Sequence, residues 1–280
     1  MRRIPVPSLI AAVLFVTIPA VGAEADLPFA VHRLSERVLV LEELTPWESN
    51  HVVIVGERGL VLVDPGHSAV MGRLIRAAAA RELGHDRFAY VVDTHGHWGH
   101  TWGNAAFPEA LVIGHEAAAR EIAADAANRE RRVAFMRTQL ADTEARLTTV
   151  DPTSAEAGAA RLQRDHLARL VRGLEEPGFA VVPPQLTFND RLGLDLGDLQ
   201  LEMIFLGRAH SDSDIAIVIP EEKLLLLGCF VFERGPLPIV GGQAQAELDP
   251  ERWLAVLGEL LADPAAIEHV ILGQHSVWPR

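Results

Sequence analysis

Three imidazoles fall within six residues in Thr94-His95-Gly96-His97-Trp98-Gly99-His100, directly after the apolar pair Val91-Val92. In an extended chain residues i and i+2 project to the same side, so His95 and His97 can grip one cation from a strand end. Gly96 and Gly99 free the backbone to bend, which lets His100 turn to a neighbouring position. A second segment of similar form, Phe205-Leu206-Gly207-Arg208-Ala209-His210, adds a fourth imidazole. A catalytic zinc takes three protein ligands and keeps a fourth position for water, and His95, His97 and His210 make such a set. Two further apolar runs end on chemistry: Leu224 to Gly228 leads into Cys229, and Val270 to Gly273 leads to Gln274 and His275. Cys229 is the only cysteine, so no intramolecular disulfide is available to it, and its role is packing, metal ligation or redox chemistry.

The elements that must position these residues follow from periodicity and turn signals. Short strands are expected at Val38 to Leu41, His51 to Val55 and Leu60 to Val63, with Gly56 to Gly59 as the last turn, which is a β-meander. Ser68 can cap a helix that carries Val70, Leu74, Ile75 and Ala78 on one face and runs to Leu83-Gly84. Strands follow at Phe88 to Val92 and Leu111 to Ile113. Between Glu116 and Glu176 the texture turns to Ala, Arg and Glu. There Val133, Met136, Leu140 and Leu147 share one helical face, and Leu167, Leu170, Val171 and Leu174 another. Asp151-Pro152 breaks the first helix and Thr153 with Glu156 reads as a capping box for the second, giving a helical hairpin inserted over about 116–176. Such an insertion reads as a spacer, a lid or a dimer surface. Strands resume at Leu192 to Leu196, Leu199 to Phe205, Asp214 to Ile219 and Lys223 to Leu227, before a helix at Pro250 to Leu261 and a strand at His269 to Leu272. Alternating strands and helices imply an α/β layered fold, with no internal sequence repeat.

Taken together, the segments resemble the metallo-β-lactamase fold superfamily over essentially the whole mature chain. Thr94 to His100 matches the family's Thr-His-x-His-x-Asp-His loop, Gly207 to Ser211 its Gly-x-x-His segment, Gly228-Cys229 its strand-end ligand and Gly273 to His275 its late Gly-His. Asp64-Pro65-Gly66 looks like the early Asp-x-Gly. The resemblance implies a four-layer αβ/βα sandwich with zinc at the edge between its two halves. One zinc site would use His95, His97 and His210; His100, Cys229 and His275 offer a second. Asp64 and Asp212 are candidates to orient the attacking water, each also readable as structural. Two departures stand out. Gly99 occupies the place of the family's metal-binding aspartate, and His275 lies one residue beyond the usual spacing, so that Gln274 competes with it for the ligand position. His67 and His115 follow strands near the site and read as structural, while His32, His85, His166 and His269 show no partner pattern.

Composition narrows the function. A chain of 280 residues with 49% hydrophobic and 22% charged residues has ample core, and 25 basic against 38 acidic residues give a net charge of −13 that disfavours nucleic acid. Arg2-Arg3, the apolar run Leu9 to Ile18 and the small residues of Val21-Gly22-Ala23 read as a cleaved secretory signal over 1–23, with one catalytic domain over 24–280 and no stable membrane insertion. The expected activity is an exported, zinc-dependent hydrolase acting on an ester, lactone or amide of a small-molecule substrate. A β-lactamase is the alternative, weakened because Phe232 stands where the cysteine-bearing lactamases carry a lysine, which leaves an arginine such as Arg234 to clamp a carboxylate. A zinc-binding accessory or sensor protein is a further reading, and redox chemistry at Cys229 another.

Overall fold

The computed structural model describes residues 27–47, 49–231, 248–274 and 278–279. The expected signal over 1–23 lies outside these residues, as do Phe232, Arg234 and His275.

Strand alternation sets the layers. In β2 (Val38–Glu43) Val38 and Val40 point into one core while Leu39 and Leu41 point into another. The split recurs in β3 (Asn50–Gly56), with Val52 and Ile54 opposite Val53, and in β4 (Gly59–Val63), with Val61 and Val63 opposite Leu60 and Leu62. Strands apolar on both faces must be covered on both sides. A seven-stranded sheet joins β1 (Phe29–Arg33) through β4 in antiparallel order to the parallel strands β5 (Phe88–Asp93), β6 (Leu111–His115) and β7 (Leu186–Phe188). The second sheet runs β13 (Trp278–Pro279), β12 (His269–Leu272), β11 (Leu224–Gly228), β10 (Ile215–Ile219), β9 (Gln200–Phe205) and β8 (Arg191–Asp195). Val40, Ile54 and Val92 of the first sheet share one core with Met203, Ile217 and Leu226 of the second. Helix α1 (Ala69–Leu83) covers the outer face of the first sheet through Met71 and Ile75, and α6 (Pro250–Leu260) covers the second through Trp253 and Val256. The result is the expected αβ/βα sandwich.

Three local features differ from the sequence reading. The edge strands β1 and β7 carry too little alternation to announce themselves. The stretch from Glu116 onward holds three helices rather than two: α3 (Glu116–Ala126), α4 (Arg129–Leu147) and α5 (Ala155–Leu174). Met136 of α4 packs with Leu167 and Leu170 of α5. The cap of α5 is Ser154, whose side chain accepts from the Ala157 N–H at 3.1 Å. Thr153 instead turns back to Asp151, with its N–H 2.8 Å from Oδ1, and Glu156 pairs with Arg146 at 2.9 Å. The capping box is therefore replaced by a serine cap one residue later.

An N-cap serine is worth about 1 kcal/mol. Ser154→Ala should lower the melting temperature by roughly 2–4 °C, and Thr153→Ala should change it less; the reverse order in a thermal melt would return the cap to Thr153.

Candidate metal centre

The loops that leave the C-terminal ends of β4, β5 and β11 converge between the sheets, joined by the connection between β9 and β10. Ile215 donates its N–H to the Thr94 carbonyl at 3.0 Å, tying the two halves together at this point. Asp64, the first residue after β4, has φ of +55° and is buried. Aspartate is one of the few residues with a side chain that tolerates this left-handed geometry. Its Oδ1 accepts the Thr94 N–H at 2.8 Å and its Oδ2 the Thr94 hydroxyl at 2.7 Å.

Those bonds decide how His95 presents itself. The Thr94 hydroxyl spends its only proton on Asp64, so at 3.0 Å from His95 Nδ1 its oxygen can only accept. His95 therefore carries its proton on Nδ1 and turns a lone pair outward on Nε2. That atom is buried and has no hydrogen-bond partner among the described residues. His97, in the turn that opens the short helix α2 (Trp98–Thr101), brings Nδ1 to 2.9 Å from His210 Nε2. The rings of His95 and His97 are centred 4.8 Å apart, those of His95 and His210 5.1 Å and those of His97 and His210 4.5 Å. Burial pushes His97 down to about 4 and His95 well below its ordinary value, so both are neutral at physiological pH. A buried cluster of neutral imidazoles is the donor set a divalent transition metal takes.

The structure also brings His100 and Cys229 together, with Nε2 3.3 Å from Sγ. His100 Nδ1 lies 3.2 Å from Asp64 Oδ2, an ion-pair distance without hydrogen-bond alignment. Burial would lower His100, but the Cys229 sulfur and the Asp64 carboxylate outweigh it and raise the imidazole well above its ordinary value in the metal-free protein. The His95, His210 and Cys229 ligand atoms lie within 4.8 Å of one another, and so do those of Asp64, His95 and His100. Members of both expected sets thus lie close together among the described residues, with His95 common to the two groups, while His275 lies outside those residues. Gly228, at φ of +53°, makes this approach, since a Cβ there would sit 2.6 Å from Thr94 Oγ1.

Other expected residues land elsewhere. Asp212 is partly exposed, 3.8 Å from Arg208, and its backbone rather than its carboxylate faces the site. Gln274 pairs through its backbone with Ser49. His115 stacks on Phe205 at 3.9 Å, a structural role. Among the described residues a Cβ on Gly99 would meet only Trp47 within 4 Å, at 3.5 Å. The indole of Trp47 also lies 5.2 Å from Trp98 and 4.8 Å from His166 of α5. His67 and His166 are both fully enclosed around it, their ring nitrogens without hydrogen-bond partners among the described residues. Sequence reasoning missed Trp47 and the buried pair of Glu43 and His51 behind Asp64. Only the unusual density of polar types in β2 and β3 hinted at the latter.

A model of the metallo-β-lactamase superfamily matches residues 44–275. No curated protein matches the sequence. Among solved structures, a metallo-β-lactamase from Pontibacter korlensis is similar with a TM-score of 0.58 at 16% identity, covering 90% of this chain and 93% of that one. The FIM-1 metallo-β-lactamase from Pseudomonas aeruginosa, in its mono-zinc form, is similar with a TM-score of 0.58 at 13% identity over 91% of each chain. At these identities the likeness is one of fold.

The enclosed histidines make the metal-free fold sensitive to acid. Burial pushes His67 down to about 3 and His166 down to about 4, against an ordinary value of 6.5. The unfolded chain therefore binds protons that the folded one refuses between about pH 6.5 and 4, and stability falls as pH drops through that window. His67→Gln should flatten the fall by roughly 1.4 kcal/mol per pH unit, the value of one proton. Urea unfolding of metal-free protein across this range checks it, and an unchanged slope would remove His67 from the enclosed set.

Proposed function

The chain belongs to the metallo-β-lactamase superfamily, and from that premise we propose that it is an exported, zinc-dependent hydrolase cleaving an ester, lactone or amide bond in a small-molecule substrate. The observation that carries the reading is the clustering of His95, His210 and Cys229, whose ligand atoms lie within 4.8 Å of one another, with His97 Nδ1 2.9 Å from His210 Nε2. Zinc held there would lower the pKa of a bound water to about 7 and polarise a carbonyl. The chain's own residues do the rest. Thr94 and Asp64 hold His95 in the tautomer that leaves Nε2 free of its proton. Burial keeps His97 neutral and thus able to ligate at physiological pH.

A second zinc would be held by His100, Cys229 and His275, with Asp64 behind His100 orienting its ring. Two imidazoles and a thiolate complete a tetrahedron with water and need no carboxylate from position 99. Export rests on the signal pattern of residues 1–23. No helix among the described residues is long and apolar enough to cross a membrane. The net charge of −13 argues for a small-molecule substrate over nucleic acid. The helical stretch α4–α5 would act as a wall beside the site, because its apolar face packs against Trp47 and Trp98.

Purified mature protein should hold between about one and two equivalents of zinc and hydrolyse members of an ester, lactone and amide panel. His210→Ala should remove the tighter equivalent and the activity together, and turnover confined to β-lactams would redirect the substrate assignment. Cys229→Ser should cost the second equivalent and leave the fold intact. Zinc retained in full with a lowered melting temperature would mean the thiol only packs, its serine replacement costing roughly 1–3 kcal/mol as a buried hydroxyl. Protein without bound zinc in metal-replete medium would sink the hydrolase reading altogether.

A further inference from the structure

We propose that Glu121 is a positioning residue for the metal centre: one carboxylate from α3 that fixes the His95–His97 turn and the His210 turn to each other. The inference rests on the zinc reading above and adds a residue that touches no ligand atom.

The two turns come from different sheets. The first leaves β5 and the second joins β9 to β10, so no strand ladder sets their spacing. Glu121 bridges them. Its Oε1 accepts the Asp212 N–H at 2.8 Å, and its Oε2 accepts the Ser213 hydroxyl. Ser213 Oγ in turn accepts the Gly96 N–H at 2.9 Å, from the residue between the two ligating histidines. Ser213 is itself held, since its N–H donates to Ser211 Oγ at 3.0 Å and Ser211 donates its N–H to Asp214 Oδ2 at 2.7 Å. The relay thus runs from the backbone beside His95 and His97, through one hydroxyl, to a carboxylate that also grips the backbone two residues after His210.

Packing makes the same link. A Cβ on Gly96 would lie 2.6 Å from the Glu121 Cβ and collide with its carboxylate. The glycine between the histidines is therefore demanded by Glu121, and the chain gains by letting the helix approach this closely. A carboxylate is suited to the task because it accepts two bonds without donating. Glutamine at this position would keep one acceptor for Asp212 but turn an N–H₂ group on Ser213, whose hydroxyl proton would lose its carboxylate acceptor.

The test is zinc affinity, measured by chelator competition, alongside the melting temperature of the metal-free protein. Glu121→Gln should weaken zinc binding by about 10- to 100-fold, the range found for groups that orient ligands, with the fold retained by circular dichroism. Gly96→Ala should weaken binding similarly, and adding Gly96→Ala to Glu121→Gly should cost no further affinity because the colliding side chain is gone. Zinc affinity within about twofold of wild type for Glu121→Gln, with only the melting temperature lowered, would reduce Glu121 to a structural carboxylate. Additive losses in the double variant would likewise overturn the contact. Wild-type protein that binds no zinc would instead overturn the metal reading itself, and this proposal with it.

Discussion

The carboxylate of Asp64 is the constraint from which the centre is built. It ends β4 in a left-handed conformation costing about 1–2 kcal/mol. Hydrogen bonds to a charged group are worth about 1.5–3 kcal/mol each, and Asp64 accepts two from Thr94, so the strain is more than offset. Its backbone is anchored as well, because the Asp64 carbonyl accepts from His51 Nδ1 at 2.5 Å, and His51 Nε2 meets Glu43 at 3.1 Å. Burial alone would raise Glu43, yet His51 bound to it holds the carboxyl at about 2. An enclosed pair behind Asp64 therefore fixes the residue that fixes Thr94, His95 and His100.

The donors come from both sheets, which explains why the site lies where the halves meet. In parallel α/β architecture the loops at the carboxyl ends of strands are free of ladder bonds and available for chemistry. Here β4 and β5 in one sheet and β11 and β12 in the other present such ends to each other. The gap is closed by backbone contacts between halves: Ile215 to Thr94 at 3.0 Å and Asn50 to Gly273 at 2.9 Å. Side chains drawn from two rigid layers would need little reorganisation to hold a metal.

What could be read in the sequence was local. Strand alternation exposed the layering because Val38, Leu39, Val40 and Leu41 divide cleanly between two cores. The histidine spacing pointed to a cluster because i and i+2 on an extended chain share a side, and the rings of His95 and His97 are centred 4.8 Å apart. What could not be read depends on contacts between distant residues. Glu121 lies 91 residues from Asp212, and nothing in an alanine-rich helix marks it as different from Glu116, which pairs with Arg120 four residues on. Trp47 reaches the site only through the turn between β2 and β3. The cap of α5 slipped by one residue because Thr153 and Ser154 are both competent caps, and Asp151 captured the threonine first.

Position 99 gains a physical account from this aromatic surround. In place of a carboxylate the chain has a glycine facing Trp47, and behind that indole stand Trp98 and the α4–α5 face, with Arg132 5.0 Å over the Trp98 ring. The negative charge available near His100 is supplied instead from the other side, by Asp64 and by Cys229 when it ligates as thiolate. The glycine at position 99 and the tryptophans beside it thus form one arrangement, in which the carboxylate near His100 is that of Asp64.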